Sequence, residues 1–279
     1  METQSVTGKK DIKSAFHKTS TIFATIVIPV ELIISLIVYK YILGHPSHFI
    51  DNNPANSPLP GDYLGIVYKA GVTVPILLAF ILIVITFFIE RVWTLRKARG
   101  KGNPVEFVSS VKEHVSKLNI EAAKKECDQQ CGSIANVINA GLERFQEMER
   151  HKGLEMEKKA IAIQKEFEEA TEMEMPMLER NTVILSTIAS IATLTGLLGT
   201  VLGMIKAFAA LAHAGAPDAV GLATGISEAL VSTALGICTS MLSILFYNYI
   251  TTRIDHIMFL TAETGQAIVR TFTYHHLDE

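Results

Sequence analysis

The sequence predicts an all-α integral membrane protein with four transmembrane helices and long helices that extend into a cytoplasmic helical domain. Three observations predict this fold class. The chain of 279 residues is 49% hydrophobic and only 19% charged, which is apolar for a soluble protein. Four segments are long enough to span a bilayer, which takes about 20 mostly apolar residues. The β-branched runs lie inside these segments, where lipid favours helices.

The first apolar segment, residues 20–43, is predicted to be a retained transmembrane helix. Its apolar part is too long for a cleaved signal peptide, and no small-x-small cleavage site follows it. It contains Glu31, two residues after Pro29. The sequence leaves three roles open for Glu31, which could snorkel to the interface, bind a neighbour or be protonated. The second segment, residues 70–90, is uncharged as far as Ile89.

The distribution of basic residues predicts the orientation of the spans. Basic side chains precede the first span and follow the second, whereas the loop 44–69 has only Lys69 against Asp51 and Asp62. By the positive-inside rule both termini and the region 91–180 are cytoplasmic, and the loops 44–69 and 212–219 face the opposite side. Arg91 and Trp93 are expected to anchor the second span at the interface. The basic residues are Lys9, Lys10, Lys13, Lys18, Arg91, Arg96, Lys97, Arg99 and Lys101.

Region 91–180 is predicted to be helical. Residues 105–130 have the pattern of one amphipathic helix. Residues 133–175 have the pattern of a second, in which Gly141 and Gly153 are expected to be flexible positions. This region is either a solvated stalk or a surface for assembly with copies of the chain. In contrast, residues 44–62 are rich in Pro, Asp and Asn, which favour turns, so no folded domain is expected there.

The remaining composition indicates no catalytic or metal-dependent chemistry. Cys127 and Cys131 are expected on one helix face, reduced, and two thiols alone do not make a structural zinc site. Cys238 is expected to pack in an apolar helix. No H-E-x-x-H, G-x-S-x-G or P-loop pattern occurs, and a net charge of -3 does not point to nucleic acid. We therefore expect a protein that is not an enzyme and has no metal, no cofactor and no nucleic-acid partner.

The last two apolar segments, residues 181–212 and 219–252, carry most of the functional information. The fourth would be roughly 50 Å long as a helix, so we expect it to protrude from the bilayer as a continuous helix. Small and polar residues recur on one face of each segment. In the third segment they are Ser186, Ser190, Thr193, Gly196, Thr200 and Gly203; in the fourth they are Gly221, Gly225, Glu228, Ser232, Gly236, Thr239 and Ser243. Gly199 and Gly203 also form a GxxxG pattern, which permits close helix approach.

These two faces predict a tightly packed hairpin that also lines something polar. Small residues in membrane helices mostly serve packing, and any single hydroxyl here can do so. Glu228 differs, because no Lys or Arg lies within two turns of it along the chain. Either another helix supplies its partner, or it is protonated, or it borders water.

Counting along ideal helices locates the polar residues. From the loop 212–219, Thr200 and Thr233 lie roughly 18 Å and 21 Å in, and Glu228 lies roughly 13 Å in. Thr233 also points about 140° away from Glu228 around the helix. Glu228 and Thr233 therefore cannot both face one narrow pore unless the helix bends or the cavity is wide.

Two segments resemble the signatures of the MotA/TolQ/ExbB proton channel family, most closely its ExbB branch. They are residues 195–205 (TGLLGTVLGMI) and 225–236 (GISEALVSTALG), and Leu178-Glu179-Arg180 ahead of the third span fits as well. The resemblance implies that Thr200 and Thr233 line a proton pathway and that Glu228 is the family's intramembrane glutamate. Further pore-face or packing candidates are Ser186, Ser190, Thr193, Gly196, Gly199, Gly203, Gly225, Ser232 and Gly236.

The resemblance also implies an assembly. Copies of the chain would form a ring, expected to be a pentamer, in the inner membrane of a Gram-negative bacterium. A single-span ExbD-like partner inside the ring would supply the aspartate that carries protons, and a TonB-like protein would transmit force to outer-membrane receptors. The expected regions are 1–19 cytoplasmic, 20–43 extra transmembrane helix, 44–69 periplasmic, 70–90 transmembrane, 91–180 cytoplasmic, 181–212 transmembrane, 213–218 periplasmic, 219–252 transmembrane and 253–279 cytoplasmic tail.

Two departures and two alternatives stay open. The first span is additional to the three-span ExbB plan, and Thr193 stands where many relatives have proline. A TolQ-like, gliding or flagellar stator is the first alternative. A self-sufficient transporter or an intramembrane enzyme is the second, although inverted repeats and catalytic motifs are not found.

Overall fold

The computed structural model describes residues 25–151, 153–212 and 218–275, together with Phe23. The expected segment 1–19, most of the loop 213–218 and the last four residues lie outside this part. Within it the regular structure is helical, and no strand forms. The helices are α1 (Thr25–Leu43), α2 (Tyr63–Lys69), α3 (Thr73–Arg99), α4 (Pro104–Ser116), α5 (Ile120–Gln130), α6 (Gly132–Arg150), α7 (Met156–Glu179), α8 (Thr182–Leu211) and α9 (Ala219–His275).

Among the described residues, four helices are long and apolar enough to cross a bilayer: α1, α3, α8 and α9. This finding confirms the predicted fold class. Contacts divide the chain into two units. The first contains the described residues up to Phe87 and the residues Ile184–Phe246, and the second contains Phe88–Val183 and the described residues from Tyr247 onward.

In the first unit, α1 buries a narrow polar face. Glu31 and Ser35, one turn apart, are buried, whereas most of the surrounding Ile, Val and Leu side chains are exposed. Exposed apolar side chains suit a helix that faces lipid. The last turns of α1, Val38–Leu43, form a π-helix. Its end packs into a small apolar cluster with Ala70 and Val74.

The connection between α1 and α3 has its own hydrogen-bonded structure. Asp62 caps α2 by accepting hydrogen bonds from the backbone N–H groups of Leu64 and Gly65, at 3.0 Å and 3.1 Å. Its second oxygen lies 2.7 Å from Nδ1 of His48. The hydrogen bond from Gly65, followed by the one from His48, lowers the pKa of Asp62. The Nζ of Lys69 donates to the carbonyl of Ala55 at 2.9 Å.

In the second unit, the single helix expected over 105–130 is two helices, α4 and α5. The expectation failed because residues 117–119 turn the chain. Leu118 has a φ of 56°, outside the helical range, and the side chain of Asn119 caps α5 by accepting from the N–H of Ala122 at 3.2 Å. The apolar period continues through the turn, so periodicity alone did not show the break.

Gly141, where a flexible helix position was expected, is a packing site. The ring of Phe167 lies directly against Gly141, where a side-chain carbon would collide with it, and it also contacts Gly265 of α9. Gly153, by contrast, lies between α6 and α7 with no neighbouring heavy atom within 4 Å of an added Cβ. The part of α9 in this unit is packed, with Phe272 against Phe145 at a centroid distance of 4.9 Å.

The expected interfacial anchor also differs from the structure. Trp93 is exposed, as an anchor requires, but Arg91 is only 2% exposed. The guanidinium of Arg91 donates to the Glu90 carboxylate and, at 3.4 Å, to the carbonyl of Met177. Asn181 donates to the same carboxylate at 3.5 Å. Arg91 therefore connects α3 to the α7–α8 junction, because its guanidinium finds these partners inside the second unit.

The two neighbouring cysteines do not share a helix face. Cys127 is buried in α5, whereas Cys131 is exposed between α5 and α6 with a φ of 55°. Helix α5 ends at Gln130, so the i, i+4 spacing does not bring the two thiols onto one surface. Burial, followed by the charges of Asp128 and Glu126, raises the pKa of Cys127 to about 12.

We predict a large difference in thiol reactivity between Cys127 and Cys131. Only the thiolate reacts with alkylating reagents, so a pKa of about 12 keeps Cys127 protonated and inert at pH 8. Mass spectrometry after alkylation of the native protein should show Cys131 modified at least about 100-fold faster than Cys127. Unfolding in denaturant should equalise the two rates. Equal rates in the native protein would contradict the buried placement of Cys127.

Candidate functional site

Helices α8 and α9 pack backbone to backbone through pairs of glycines. A Cβ on Gly225 would lie 2.6 Å from the backbone nitrogen of Ala207 and 2.7 Å from the carbonyl oxygen of Gly203. Further along, a Cβ on Gly236 would lie 2.8 Å from the Cα of Gly196. These positions admit no side chain, so the glycines permit the close approach of the two helices.

Between these contacts, the hydroxyls of Thr200 and Thr233 hydrogen-bond to each other across the two helices. Both side chains also lie near helix backbone. Thr200 donates to the carbonyl of Gly196 at 3.3 Å, and Thr233 approaches the carbonyls of Ala229 at 3.1 Å and Gly196 at 3.4 Å. Both threonines are half-buried in the single chain. They form a small cluster of exchangeable protons on neighbouring helices.

Glu228 has a cationic partner on α8. The Nζ of Lys206 donates to both carboxylate oxygens of Glu228, at 2.7 Å and 2.8 Å. The Glu228 side chain is 6% exposed, whereas that of Lys206 is 56% exposed. Of the possibilities left open by the sequence, the structure therefore shows a partner on another helix of the same chain.

Contacts with the start of α3 locate Glu228 along the membrane unit. Gly71, with a φ of +84°, lies directly against the Glu228 carboxylate, and a Cβ there would collide with it. One turn further along α9, the buried hydroxyl of Ser232 lies 2.6 Å from that of Thr73. Glu228 therefore lies level with the first residues of α3.

The start of α9 contacts two other parts of this unit. Gly221 and Gly225 pack against α8. Other residues of the same two turns line a cavity of ≈ 450 Å³ together with residues 55–58 of the α1–α3 connection. Glu228 follows these turns and lies beside the first residues of α3.

The structure also accounts for the different directions of Glu228 and Thr233. Glu228 and Ser232 contact the start of α3, and Glu228 also pairs with Lys206 of α8, whereas Thr233 hydrogen-bonds to Thr200 of α8. No hydrogen bond joins Glu228 to either threonine in the described part of the chain. The polar residues therefore form two groups, an ion pair and a hydroxyl pair, at different positions along the α8–α9 contact.

The other candidate residues divide by exposure. Those that face a helix of the same chain are buried: Gly196, Gly199, Gly203, Gly225, Ser232 and Gly236. Ser186 is half-buried, and Ser190 and Thr193 are exposed on the single chain. In the fourth span, Thr239 and Ser243 are also buried, and they donate to the carbonyls of Leu235 and Leu185 at 2.7 Å and 2.6 Å.

Sequence reasoning missed three members of this site: Lys206, Gly71 and Thr73. A signal existed for Lys206, since it is the one charged residue inside the third apolar segment. Lysine is costly there without a counter-ion. Gly71 and Thr73 gave no such signal, because only the fold brings the start of α3 against α9.

Comparison with known proteins shows a family resemblance that contains this hairpin. Residues 130–262 match the family model described as the MotA/TolQ/ExbB proton channel family. The match contains α6, α7 and α8 and most of α9, and therefore the whole α8–α9 hairpin. Helices α1 to α5 lie outside it.

Individual relatives agree with the family match. The chain is 42% identical over 84 residues to an ExbB-like biopolymer transport protein of Synechocystis sp., covering 29% of this chain and 40% of the relative. It is 30% identical over 171 residues to an ExbB homologue of Methanothermobacter thermautotrophicus, covering 60% and 55%. It is 36% identical over 88 residues to the Tol-Pal system protein TolQ of Haemophilus influenzae, covering 32% and 39%.

The chain thus spans about two fifths to just over half the length of these relatives. The family match, the ExbB and TolQ relatives and the glycine-packed hairpin all concern the same part of the chain. Residues 130–262 of this chain therefore resemble the MotA/TolQ/ExbB proton channel family, whose model they match.

Proposed function

We propose that the chain is an ExbB-like subunit of an inner-membrane motor driven by the proton gradient. With an ExbD-like partner it would energise TonB-dependent transport across the outer membrane. The observation that carries the proposal is the Thr200–Thr233 hydroxyl pair, which lies between the glycine contacts of the family-matched hairpin. These hydroxyls can accept and donate a proton but do not hold a charge.

The charges of the site support a subunit that needs a partner. One proton that crosses about 100 mV releases roughly 2.3 kcal/mol, and harnessing it requires an ionisable group that changes its surroundings. Glu228 is already neutralised by Lys206, so it is poorly suited to carry that proton. The hydroxyl pair has no carboxylate in contact within the described residues. We infer that a second polypeptide provides the acidic group.

The assembly follows from the same proposal. Large apolar side chains such as Leu194, Leu198 and Leu230 are exposed on α8 and α9, and lipid or further subunits would cover them. We propose a ring of copies, a pentamer as in the ExbB plan, around a single-span ExbD-like helix, with a TonB-like protein as the driven component. Both termini would be cytoplasmic in a Gram-negative inner membrane.

A TolQ-like role is the second candidate, and the similarity to TolQ proteins supports it. Besides the Haemophilus influenzae protein, the chain is 26% identical over 139 residues to TolQ of Pseudomonas aeruginosa. TolQ is named for the Tol-Pal system, so a TolQ-like subunit would act in the cell envelope. The hairpin geometry is compatible with either role.

A deletion strain separates the two roles. If the chain is ExbB-like, deletion should abolish growth on scarce chelated iron and leave the envelope intact; if TolQ-like, the envelope should leak while iron uptake continues. In either case Thr200→Val and Thr233→Val should fail to complement although they assemble. Full complementation by both valine variants would contradict the proposed proton pathway.

A further inference from the structure

Glu31 of α1 is a buried carboxyl group that the hairpin site does not use. Its side chain is on the buried face of α1, with a residue exposure of 9%. The hydroxyl of Thr86 on α3 donates to its Oε1 at 2.7 Å. Both residues lie outside the family-matched stretch, so the family match assigns no role to them.

Two independent counts place this contact deep in the apolar layer. Leu43 at the end of α1 packs against Ala70 and Val74, at the start of α3. From Leu43, Glu31 is twelve residues back, or roughly 18 Å, and from Thr73, Thr86 is thirteen residues on, or roughly 20 Å. Glu31 is therefore about two thirds of the way through a hydrocarbon core of roughly 30 Å. Glu228, in contrast, is level with the first residues of α3.

Within residues 25–151, 153–212 and 218–275, no positive charge is paired with Glu31. In the described part of the chain, no Lys, Arg or His forms an ion pair with it. On α1, Lys40 is nine residues away with its Nζ over the ring of Tyr41 at 5.7 Å. On α3, Glu90 and Arg91 follow Thr86 by about one turn, and they pair with each other.

We propose that Glu31 holds a proton in the resting protein, so that α1 provides a second proton-binding site. A carboxylate inside the apolar layer, with one hydroxyl donor and no cation among the described residues, is far less stable than the neutral acid. The neutral acid keeps the hydrogen bond from Thr86. The two buried carboxyl groups differ in their surroundings: Glu228 accepts from the ammonium of Lys206, and Glu31 accepts from the hydroxyl of Thr86. This inference does not depend on the proposed motor function.

Infrared spectroscopy of the full chain in lipid bilayers tests the proposal directly. The carbonyl stretch of a protonated carboxyl group is separate from the amide bands, and we expect the wild type to show it. Glu31→Gln, a neutral isostere that can still accept from Thr86, should remove the band. Thr86→Val should shift it to higher frequency because the hydrogen bond to the carbonyl oxygen is lost. Glu228→Gln is the matched control and should leave it unchanged.

Two results would overturn the proposal: no band in the wild type, or a band that persists in Glu31→Gln. A lipid-soluble carbodiimide provides a second measurement, since it adds to protonated carboxyl groups in apolar surroundings. Peptide mapping should find the adduct on Glu31 and not on Glu228. An adduct on Glu228 with none on Glu31 would count against it.

Discussion

Lys206→Met should destabilise the protein by about 2–3 kcal/mol. The substitution leaves the Glu228 carboxylate almost fully buried against Gly71 without its cation. Removing the partner of a buried charge lowers the free energy of unfolding far more than removing the partner of a half-exposed charge. Glu228→Gln should therefore be milder, because the ammonium of Lys206 is 56% exposed and can reach water.

The double variant Lys206→Met/Glu228→Gln should be close to the wild type in stability. It removes both charges together, and Gln keeps the shape of the buried side chain. Thermal unfolding in a mild detergent, measured for all four proteins, gives the coupling free energy of the pair, which we expect to be about 2 kcal/mol. Lys206→Arg is the control that keeps the charge. Strictly additive effects of the two single substitutions would contradict the ion pair.

Gly225→Val should disrupt the α8–α9 hairpin and with it the Thr200–Thr233 contact. Even a methyl group at Gly225 would meet backbone atoms of Ala207 and Gly203 at 2.6–2.8 Å, and backbone cannot move aside as a side chain can. We expect a loss of about 3 kcal/mol or more. Disulfide formation between cysteines placed at positions 200 and 233 reports whether the hairpin stays closed, and it should fail in this variant.

Ala234→Val is the matched control for this prediction. It places the same valine side chain on the same helix at an exposed position, so stability and disulfide yield should be nearly unchanged. The prediction would be wrong if Gly225→Val and Ala234→Val had equal effects, since the helices would then not approach as closely as the glycines indicate.

Much of the membrane architecture was predictable because lipid imposes simple rules. Length and apolarity identified the four spans, and the recurrence of small residues identified the contact face of α8 and α9. The glycines of that face lie where the pattern placed them. Helix geometry also predicted a similar depth for Thr200 and Thr233, although their mutual hydrogen bond is seen only in the structure.

Other features of the fold and the site were not predictable, because they depend on contacts between residues far apart in the sequence. The partner of Glu228 lies 22 residues away on another helix, so a search of its own helix could not find Lys206. Likewise, Gly141 has the sequence signature of a flexible point, but its missing side chain accommodates Phe167. The turn at Leu118 interrupts a helix without changing the apolar period. These features follow from tertiary contacts and not from local pattern.

Water access to Thr200 and Thr233 is the most direct test of the central claim, that α8 and α9 line a polar path completed by another polypeptide. In a background without native cysteines, single cysteines at positions 200, 233 and 230 would be exposed to a membrane-impermeant thiol reagent in native membranes. We predict modification at positions 200 and 233 but not at position 230, because Leu230 is an exposed apolar side chain that lipid or a further subunit would cover. Modification at position 230 alone, or at none of the three, would contradict the account.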